Sequence, residues 1–226
     1  RPERVGILLK VSDLEIVRTW DSLGLRGSGS NTLIVDDVFV EPEAILRFNK
    51  IIEKSQPPYE NFDQDYLYYN TPFYPGFYVG FAAMAVGGAE RVVDEFEKHT
   101  AGRIRFSGVK EKESPTSQRV LAELKLELIS AKSLLTEYIT MMETDKDGPY
   151  EGAKYKAIRA LIIEKCTQIG VKALLTLGGH ALLKGHPVEL FSRDIIAIAT
   201  HITSLYEDGI MGYGRHLFGV KTNIHG

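Results

Sequence analysis

The clearest pattern in the chain is a stripe of apolar residues between Leu121 and Met142. Within this stretch the apolar positions alternate in steps of three and four, which is typical of a helix in an antiparallel bundle or coiled coil. The stripe consists of Leu121, Leu124, Leu128, Ala131, Leu135, Tyr138 and Met142. Ser114-Pro115 is a suitable helix start and Asp147-Gly148-Pro149 a suitable end, so we predict one long helix between them.

Other stretches with helical periodicity lie on both sides of this helix. Residues 75–100, PGFYVGFAAMAVGGAERVVDEFEKHT, predict a helix whose small residues would let a neighbouring helix approach closely. We predict another helix within residues 150–183 that ends near Gly178-Gly179, one that begins around Pro187-Val188, and a last one from about Asp208 to Phe218. Long helices joined by short loops predict an up-and-down antiparallel bundle, so the expected fold class is mainly α.

The first part of the chain is typical of β structure. VGILLKV, LEIVRTW and NTLIVDDVFV are short runs rich in Val, Ile and Leu, and they predict strands around the glycine-rich segment GLRGSGSN. A glycine-rich loop can bind phosphate when a helix follows it, but a β-type run follows here, which favours an ordinary turn. We therefore expect residues 1–48 to end a β-barrel-like or β-sandwich domain, 49–72 to be a connector and 73–226 to be the bundle.

Ten aromatic residues are concentrated between Tyr59 and Phe81. No Lys or Arg occurs between Lys54 and Arg91, so the stretch lacks the basic residues of a nucleic-acid-binding surface. One interpretation is a packed connector or a subunit interface. The other is the wall of a pocket for a flat or apolar substrate.

Composition narrows the possible partners and the compartment. The net charge of -3 gives no basic excess for nucleic acid or an anionic membrane, and no run of about 18 apolar residues predicts a membrane span. Cys166 is the single cysteine, so no intramolecular disulfide can form, and we expect a cytoplasmic protein. Cys166 lies in a strongly helical stretch, which favours a packed thiol over a nucleophile.

The segment RDIIAIATHITSLYEDG holds two candidate acid–base residues, His201 and Glu207. A histidine titrates near neutrality, so His201 suits proton transfer, but it could equally be a buried residue at a helix end. His180 and His186 are weaker candidates at helix ends or in loops. The six histidines form no metal-binding spacing such as HExxH, so we predict no metal site.

Several segments resemble the acyl-CoA dehydrogenase superfamily. WDSLGLRGSGSNTLIVDDVFVEPEAIL is similar to the end of its middle β domain, AVGGAERVVDEF to the first helix of its carboxyl-terminal bundle, and TLGGH and the RD at Arg193 to later motifs. The resemblance implies that the family's amino-terminal helical domain and the first half of its β domain are missing. Since the chain also opens within a strand pattern without Met, we expect a fragment that is inactive by itself.

The superfamily contains flavin dehydrogenases and flavin monooxygenases. In many dehydrogenases the catalytic glutamate lies in a Y-E-G-T run about nine residues after the RD arginine, which is Ile202 here, and Glu207 is displaced by five residues. GSGSN, SPTSQRVLAEL and an RD followed by six residues and His201 resemble the two-component monooxygenase branch more closely. That branch implies His201 as the acid–base residue, reduced flavin from a separate reductase, and an aromatic or apolar substrate.

The resemblance also implies cofactor contacts for FAD or FMN. Arg103 and Phe106 match an R-x-x-F-G motif whose glycine is replaced by Ser107. Further candidates are Gln118, Gly178 and Gly179, although Leu175 stands where a Q-x-x-G-G motif has its glutamine. In dehydrogenases the arginine contacts the flavin diphosphate across a subunit interface, and family members are commonly tetramers. Two alternatives remain: an FAD-dependent acyl-CoA dehydrogenase that uses Glu207, and a non-catalytic oligomerising bundle.

Overall fold

The computed structural model describes residues 5–47, 71–145 and 150–220. Within these ranges five helices follow a β region: α1 (Phe73–Gly102), α2 (Pro115–Thr144), α3 (Gly152–Leu177), α4 (Pro187–Ala199) and α5 (Tyr206–Leu217). The predicted mainly α bundle after a short β region is confirmed. None of the described helices is long and apolar enough to cross a membrane.

Helix α2 buries the stripe that predicts it. Leu124, Leu128, Ala131, Tyr138 and Met142 are each at most 7% exposed. Leu121 and Leu135 are half-buried and pack against the same core. The helix begins at Pro115 after Ser114, as predicted, and ends at Thr144. The predicted stop at residues 147–149 lies outside the described residues.

Helix α3 is the centre of the bundle because it contacts each of the other four helices. The core joins Phe96 of α1, Leu124 of α2, Ile163 of α3 and Ile195 of α4, none more than 1% exposed. Burying side chains of this size contributes about 1.5–3 kcal/mol each, so the core is the main source of stability. Cys166 is fully buried there and burial raises its pKa to about 12, which confirms the predicted packed thiol.

The predicted end of the third helix near Gly178-Gly179 is confirmed. Helix α3 stops at Leu177, where Gly178 adopts a φ of 74°, and a 3-10 turn follows over Gly178–Leu182. A positive φ breaks the helical hydrogen-bond ladder, and glycine adopts it without a steric penalty. Helix α4 begins at Pro187, as predicted.

The β region forms two separate antiparallel pairs of three-residue strands. Strand β1 (Val5–Ile7) pairs with β4 (Ile45–Arg47), and β2 (Glu15–Val17) pairs with β3 (Thr32–Ile34). The three apolar runs that predict strands are longer than the strands that the structure forms within them. Residues 8–10, 18–20 and 35–40 carry no strand.

The β region is attached to the bundle at the start of the glycine-rich turn. The Leu25 N–H donates to the Asp194 carboxylate of α4 at 2.8 Å, and the Leu25 side chain packs on the core. A Cβ at Gly24 would lie 2.2 Å from the Arg193 carbonyl oxygen, so only glycine fits this contact. The RD pair therefore has a structural role as the docking point of the β region.

Candidate active site

His201 lies in the connection between α4 and α5. Its backbone N–H donates to the Ile198 carbonyl (3.2 Å), and its carbonyl accepts from the Ser204 N–H (2.7 Å). The side chain is exposed. The interpretation of His201 as a buried helix-end residue is therefore wrong, and the imidazole is accessible to a ligand.

Thr203 holds one edge of the imidazole. Its N–H donates to His201 Nδ1 (3.3 Å), and its hydroxyl oxygen lies 2.8 Å from the same nitrogen. Because Nδ1 accepts the backbone N–H, the neutral ring carries its proton on Nε2. Within the described residues Nε2 has no hydrogen-bond partner, so the ring presents a free donor to its surroundings.

The imidazole also stacks on an aromatic row formed by Tyr74, Tyr78 and Phe81 of α1. The His201 and Phe81 ring centroids are 5.0 Å apart with an interplanar angle of 27°. Phe81 stacks with Tyr78 at 6.2 Å, and Tyr78 with Tyr74 at 6.1 Å. Steps of three and four place these rings on one helix face. Part of the aromatic-rich stretch thus forms a flat surface beside an ionisable group, while residues 59–70 lie outside the described structure.

Arg159 of α3 joins the aromatic row to the His201 connection. Its guanidinium carbon lies 4.7 Å from the Tyr78 ring centroid, and Nη2 donates to the Thr203 carbonyl. The residue is only 4% exposed, and burial lowers the pKa of its guanidinium. Its ionisable neighbours among the described residues are Tyr138 and Tyr78, without a carboxylate. The sequence did offer one signal, which is an arginine within the apolar run AIRALII.

Glu207 lies in the first turn of α5 and is exposed. It forms no hydrogen bond or ion pair with the other described residues. No described residue holds the Glu207 carboxylate in one orientation, whereas Thr203 and Phe81 hold the His201 imidazole.

The proposed cofactor contacts gather at the other end of α4. Arg103 follows α1, and its Nη1 donates to the Leu177 carbonyl at 3.3 Å, which brings it beside Gly178. Gln118 lies in the first turn of α2 and donates to the Lys112 carbonyl at 3.0 Å. Phe106 is fully exposed. The structure therefore brings Arg103 and the glycine pair together, and it leaves Phe106 uncovered by the other described residues.

Glu111 organises the segment between α1 and α2, although no motif in the sequence marks it. Its carboxylate accepts two hydrogen bonds from Arg105, at 2.7 and 2.6 Å, and another from the Ser117 hydroxyl. The Arg105 guanidinium, followed by Ser117, lowers the pKa of Glu111 to about 2. This carboxylate ties the segment after Arg103 to the start of α2.

Three histidines also meet at this end of the bundle. His99 comes from α1, His180 from the turn after α3 and His186 from the start of α4, and one nitrogen of each lies within 4.8 Å of the others. His99 Nε2 is buried without a hydrogen-bond partner, and burial, with the Arg103 charge next, lowers the pKa of His99. The sequence missed this cluster because its members are far apart along the chain.

Arg103 adds a positive charge beside the histidine cluster, which opposes the binding of a metal cation there. His186 Nδ1 already accepts the Val188 N–H at 3.2 Å, which leaves a proton on Nε2. The expectation of no metal site stays a prediction.

The two groups of candidates are separated by the length of α4. This helix has 13 residues, which corresponds to about 20 Å. His201 follows its carboxyl end, and His186 precedes its amino end. One chain therefore presents two separate groups of candidate residues.

Comparisons with known proteins agree with this architecture. The chain is 27% identical to the flavin-dependent monooxygenase oxygenase subunit HsaA of Rhodococcus jostii (strain RHA1) over 226 residues, which cover 96% of the chain and 58% of that protein. It is 26% identical to the oxygenase component of the FADH(2)-dependent resorcinol hydroxylase of Rhizobium sp. (strain MTP-10005), over 98% of the chain and 57% of that protein. The chain thus spans little more than half the length of these relatives.

Solved structures show the same likeness. The crystal structure of 3-HSA hydroxylase from Rhodococcus sp. RHA1 matches with a TM-score of 0.84 and 27% identity, over 99% of this chain and 59% of that one. Residues 79–204, more than half of the chain, match the family described as acyl-CoA dehydrogenase, C-terminal domain. The chain belongs to the acyl-CoA dehydrogenase C-terminal domain family.

Proposed function

We propose that the chain is part of the oxygenase component of a two-component flavin-dependent monooxygenase that acts on an aromatic substrate. The observation that carries the proposal is the exposed His201 imidazole, held by Thr203 and stacked at the end of the aromatic row. The oxygenase names of the two curated relatives support the same function. No comparable environment surrounds Glu207, which a dehydrogenase would need.

His201 is placed to exchange a proton at Nε2. In the neutral form described above, Nε2–H can donate to a substrate hydroxyl. The other tautomer places the proton on Nδ1, where the Thr203 hydroxyl can accept it at 2.8 Å, and Nε2 is then free to take a proton from a phenol. Thr203 thus offers both a donor and an acceptor, and the aromatic row offers a stacking surface for a flat substrate.

The residues at the other end of α4 fit the phosphate end of FAD or FMN. Arg103 is a cation, the buried His99 Nε2 has no partner, and a side-chain atom at Gly178 or Gly179 would meet nothing within 4 Å. These groups and Gln118 would hold the phosphates, while the exposed Phe106 would contact the cofactor or a second subunit. When bound, reduced flavin would supply the activated dioxygen.

We infer from the separation of the two groups of candidate residues an oligomer in which each chain contributes to two flavin sites. We include a tetramer in the proposal, together with a separate flavin reductase as partner and a cytoplasmic location. Exposed apolar side chains such as Phe106, Leu126 and Ile129, at 111%, 66% and 60% exposure, are consistent with further subunit contacts.

The full-length protein tests this function directly. We expect it to bind reduced flavin and, with dioxygen and a phenolic substrate, to form a hydroxylated product. His201→Ala should lower the hydroxylation rate by about 10²–10⁴-fold because it removes the acid–base group, while reduced flavin still binds and is still oxidised. Product chromatography and flavin absorbance measure the two effects separately.

Glu207→Gln is the matched control and should hydroxylate at the wild-type rate. The dehydrogenase alternative makes the opposite prediction: an acyl-CoA would bleach the bound oxidised flavin, and Glu207→Gln would abolish the bleaching. A protein that binds neither oxidised nor reduced flavin would instead support the non-catalytic bundle.

A further inference from the structure

We propose that Arg159 is a positioning residue for His201, acting through Thr203. This inference rests on the proposed function, since it assigns a role to a residue that touches neither substrate nor cofactor. Arg159 lies on α3, 44 positions from Thr203, and its Nη2 donates to the Thr203 carbonyl. Thr203 in turn holds His201 Nδ1 through its N–H and its hydroxyl.

The environment of Arg159 is unusual for a structural arginine. A buried charge is normally paired with a carboxylate because desolvation is costly. Arg159 is 4% exposed, yet within the described residues its neighbours are the Tyr78 ring and the Thr203 carbonyl, with Tyr138 beside them. Its Nε is buried without a hydrogen-bond partner. An apolar side chain would fill this space without the desolvation cost, so packing alone does not account for the arginine.

The contacts of Arg159 converge on His201 from two directions. The guanidinium contacts Tyr78, which stacks on Phe81, and Phe81 stacks on the imidazole. The same guanidinium fixes the carbonyl of Thr203, whose N–H and hydroxyl both contact Nδ1. One side chain on the central helix thus supports both the plane on which the ring stacks and the residue that holds its Nδ1.

This arrangement explains how the imidazole of an exposed loop residue can be held in a fixed position. The connection between α4 and α5 covers residues 200–205, and a short loop on the surface is ordinarily mobile. The hydrogen bond from Arg159 ties this loop to α3, the helix that contacts all the others. Proton transfer depends on donor–acceptor geometry, so a small displacement of the ring reduces the rate even when every reacting group is present.

The test compares Arg159→Met, Arg159→Lys and Thr203→Val in the full-length protein. Arg159→Met keeps an apolar stem and removes the donor, and we expect hydroxylation to fall about tenfold to a hundredfold with unchanged affinity for reduced flavin. Arg159→Lys keeps a cation that can reach the carbonyl and should recover most of the rate. Thr203→Val removes the hydroxyl acceptor and should also lower hydroxylation.

The decisive comparison repeats Arg159→Met in a His201→Ala background. If Arg159 acts through His201, it should change the residual rate by less than about twofold, because coupled residues are not additive. An equal loss in both backgrounds would overturn the proposal, as would an Arg159→Lys variant as slow as Arg159→Met. Arg91→Met, which removes an exposed arginine paired with Glu95, serves as the control and should leave hydroxylation unchanged.

Crystal structures of the full-length variants separate failure of this inference from failure of the proposed function. Arg159→Met should release Thr203 and lose the contact with His201 Nδ1, whatever reaction the protein catalyses, and Arg159→Lys should keep it. If Arg159→Met does not fold, the contact is tested in Arg159→Lys and Thr203→Val instead. An unchanged imidazole in Arg159→Met would contradict the positioning role, whereas absence of hydroxylation in the wild type contradicts only the proposed function.

Discussion

At the scale of single residues, contacts made through space decide what each ionisable group can do. His201 and Glu207 are six positions apart and both exposed, but among the described residues only His201 is held by neighbours, namely Thr203 and Phe81. Glu111 and Glu113 give a similar contrast. Glu111 is buried and bonded to Arg105, whereas Glu113 is exposed and lies 3.9 Å from Lys110.

We predict that Glu111→Gln destabilises the protein near pH 7 but not near pH 2. Because the folded-state pKa of Glu111 is lowered from 4.5 to about 2, its charge stabilises the fold at pH values above the unfolded-state pKa. That stabilisation is lost as the pH falls from 4.5 toward 2. Urea unfolding at a series of pH values should show the two proteins converging in this window.

Glu113→Gln is the control, since an exposed ion pair contributes little at any pH. A free energy difference between Glu111→Gln and wild type that persists unchanged at pH 2 would show that the Glu111 charge is not its source.

At the scale of helices, small residues set how closely the elements pack. A Cβ at Gly170 of α3 would lie 2.9 Å from the Ser192 Oγ and 3.3 Å from its Cα on α4. Gly87 of α1 is exposed, and a Cβ there would meet nothing within 4 Å. Gly170 is therefore required for the close packing of α3 on α4, whereas no described contact requires Gly87. Both glycines lie inside continuous helices.

We predict that Gly170→Ala destabilises the protein by about 1–3 kcal/mol because it overpacks the contact between α3 and α4. Gly87→Ala should instead stabilise it by about 0.5–1 kcal/mol through helix propensity. Thermal or denaturant unfolding of both variants measures the difference. Equal effects of the two substitutions would mean that the close approach at Gly170 relaxes without cost.

At the scale of the whole molecule, the β region is fixed to the bundle through a small contact. Gly24 and Leu25 meet Arg193 and Asp194, and this contact joins positions 169 residues apart in sequence. Since α4 leads into the His201 connection, the docking of the β region also bears on the position of the candidate site.

We predict that Gly24→Ala loosens this contact, because its Cβ would lie 2.2 Å from the Arg193 carbonyl oxygen. The expected cost is about 1–3 kcal/mol, with faster proteolysis in the β region of the full-length protein. Gly27→Ala is the control, since nothing lies within 4 Å of its Cβ. Identical proteolysis of the two variants would contradict the docking role.

Local sequence patterns predict the helices. The apolar stripe from Leu121 to Met142 predicts α2 because helix periodicity is a local property of the chain. The glycine pair Gly178-Gly179 likewise predicts the end of α3, where Gly178 adopts a positive φ. His201 is a candidate through the family resemblance and its spacing after Arg193, and its role stays a prediction.

The sequence by itself determined the order and type of the helices and the buried face of α2, and through the family resemblance it made His201 a candidate. The tertiary structure alone decided that Arg159 reaches Thr203, that His99 joins His180 and His186, and that the two groups of candidate residues lie at opposite ends of α4. The physical reason is that periodicity and capping act over a few neighbouring residues, whereas hydrogen bonds and charge contacts between distant positions exist only once the helices have packed.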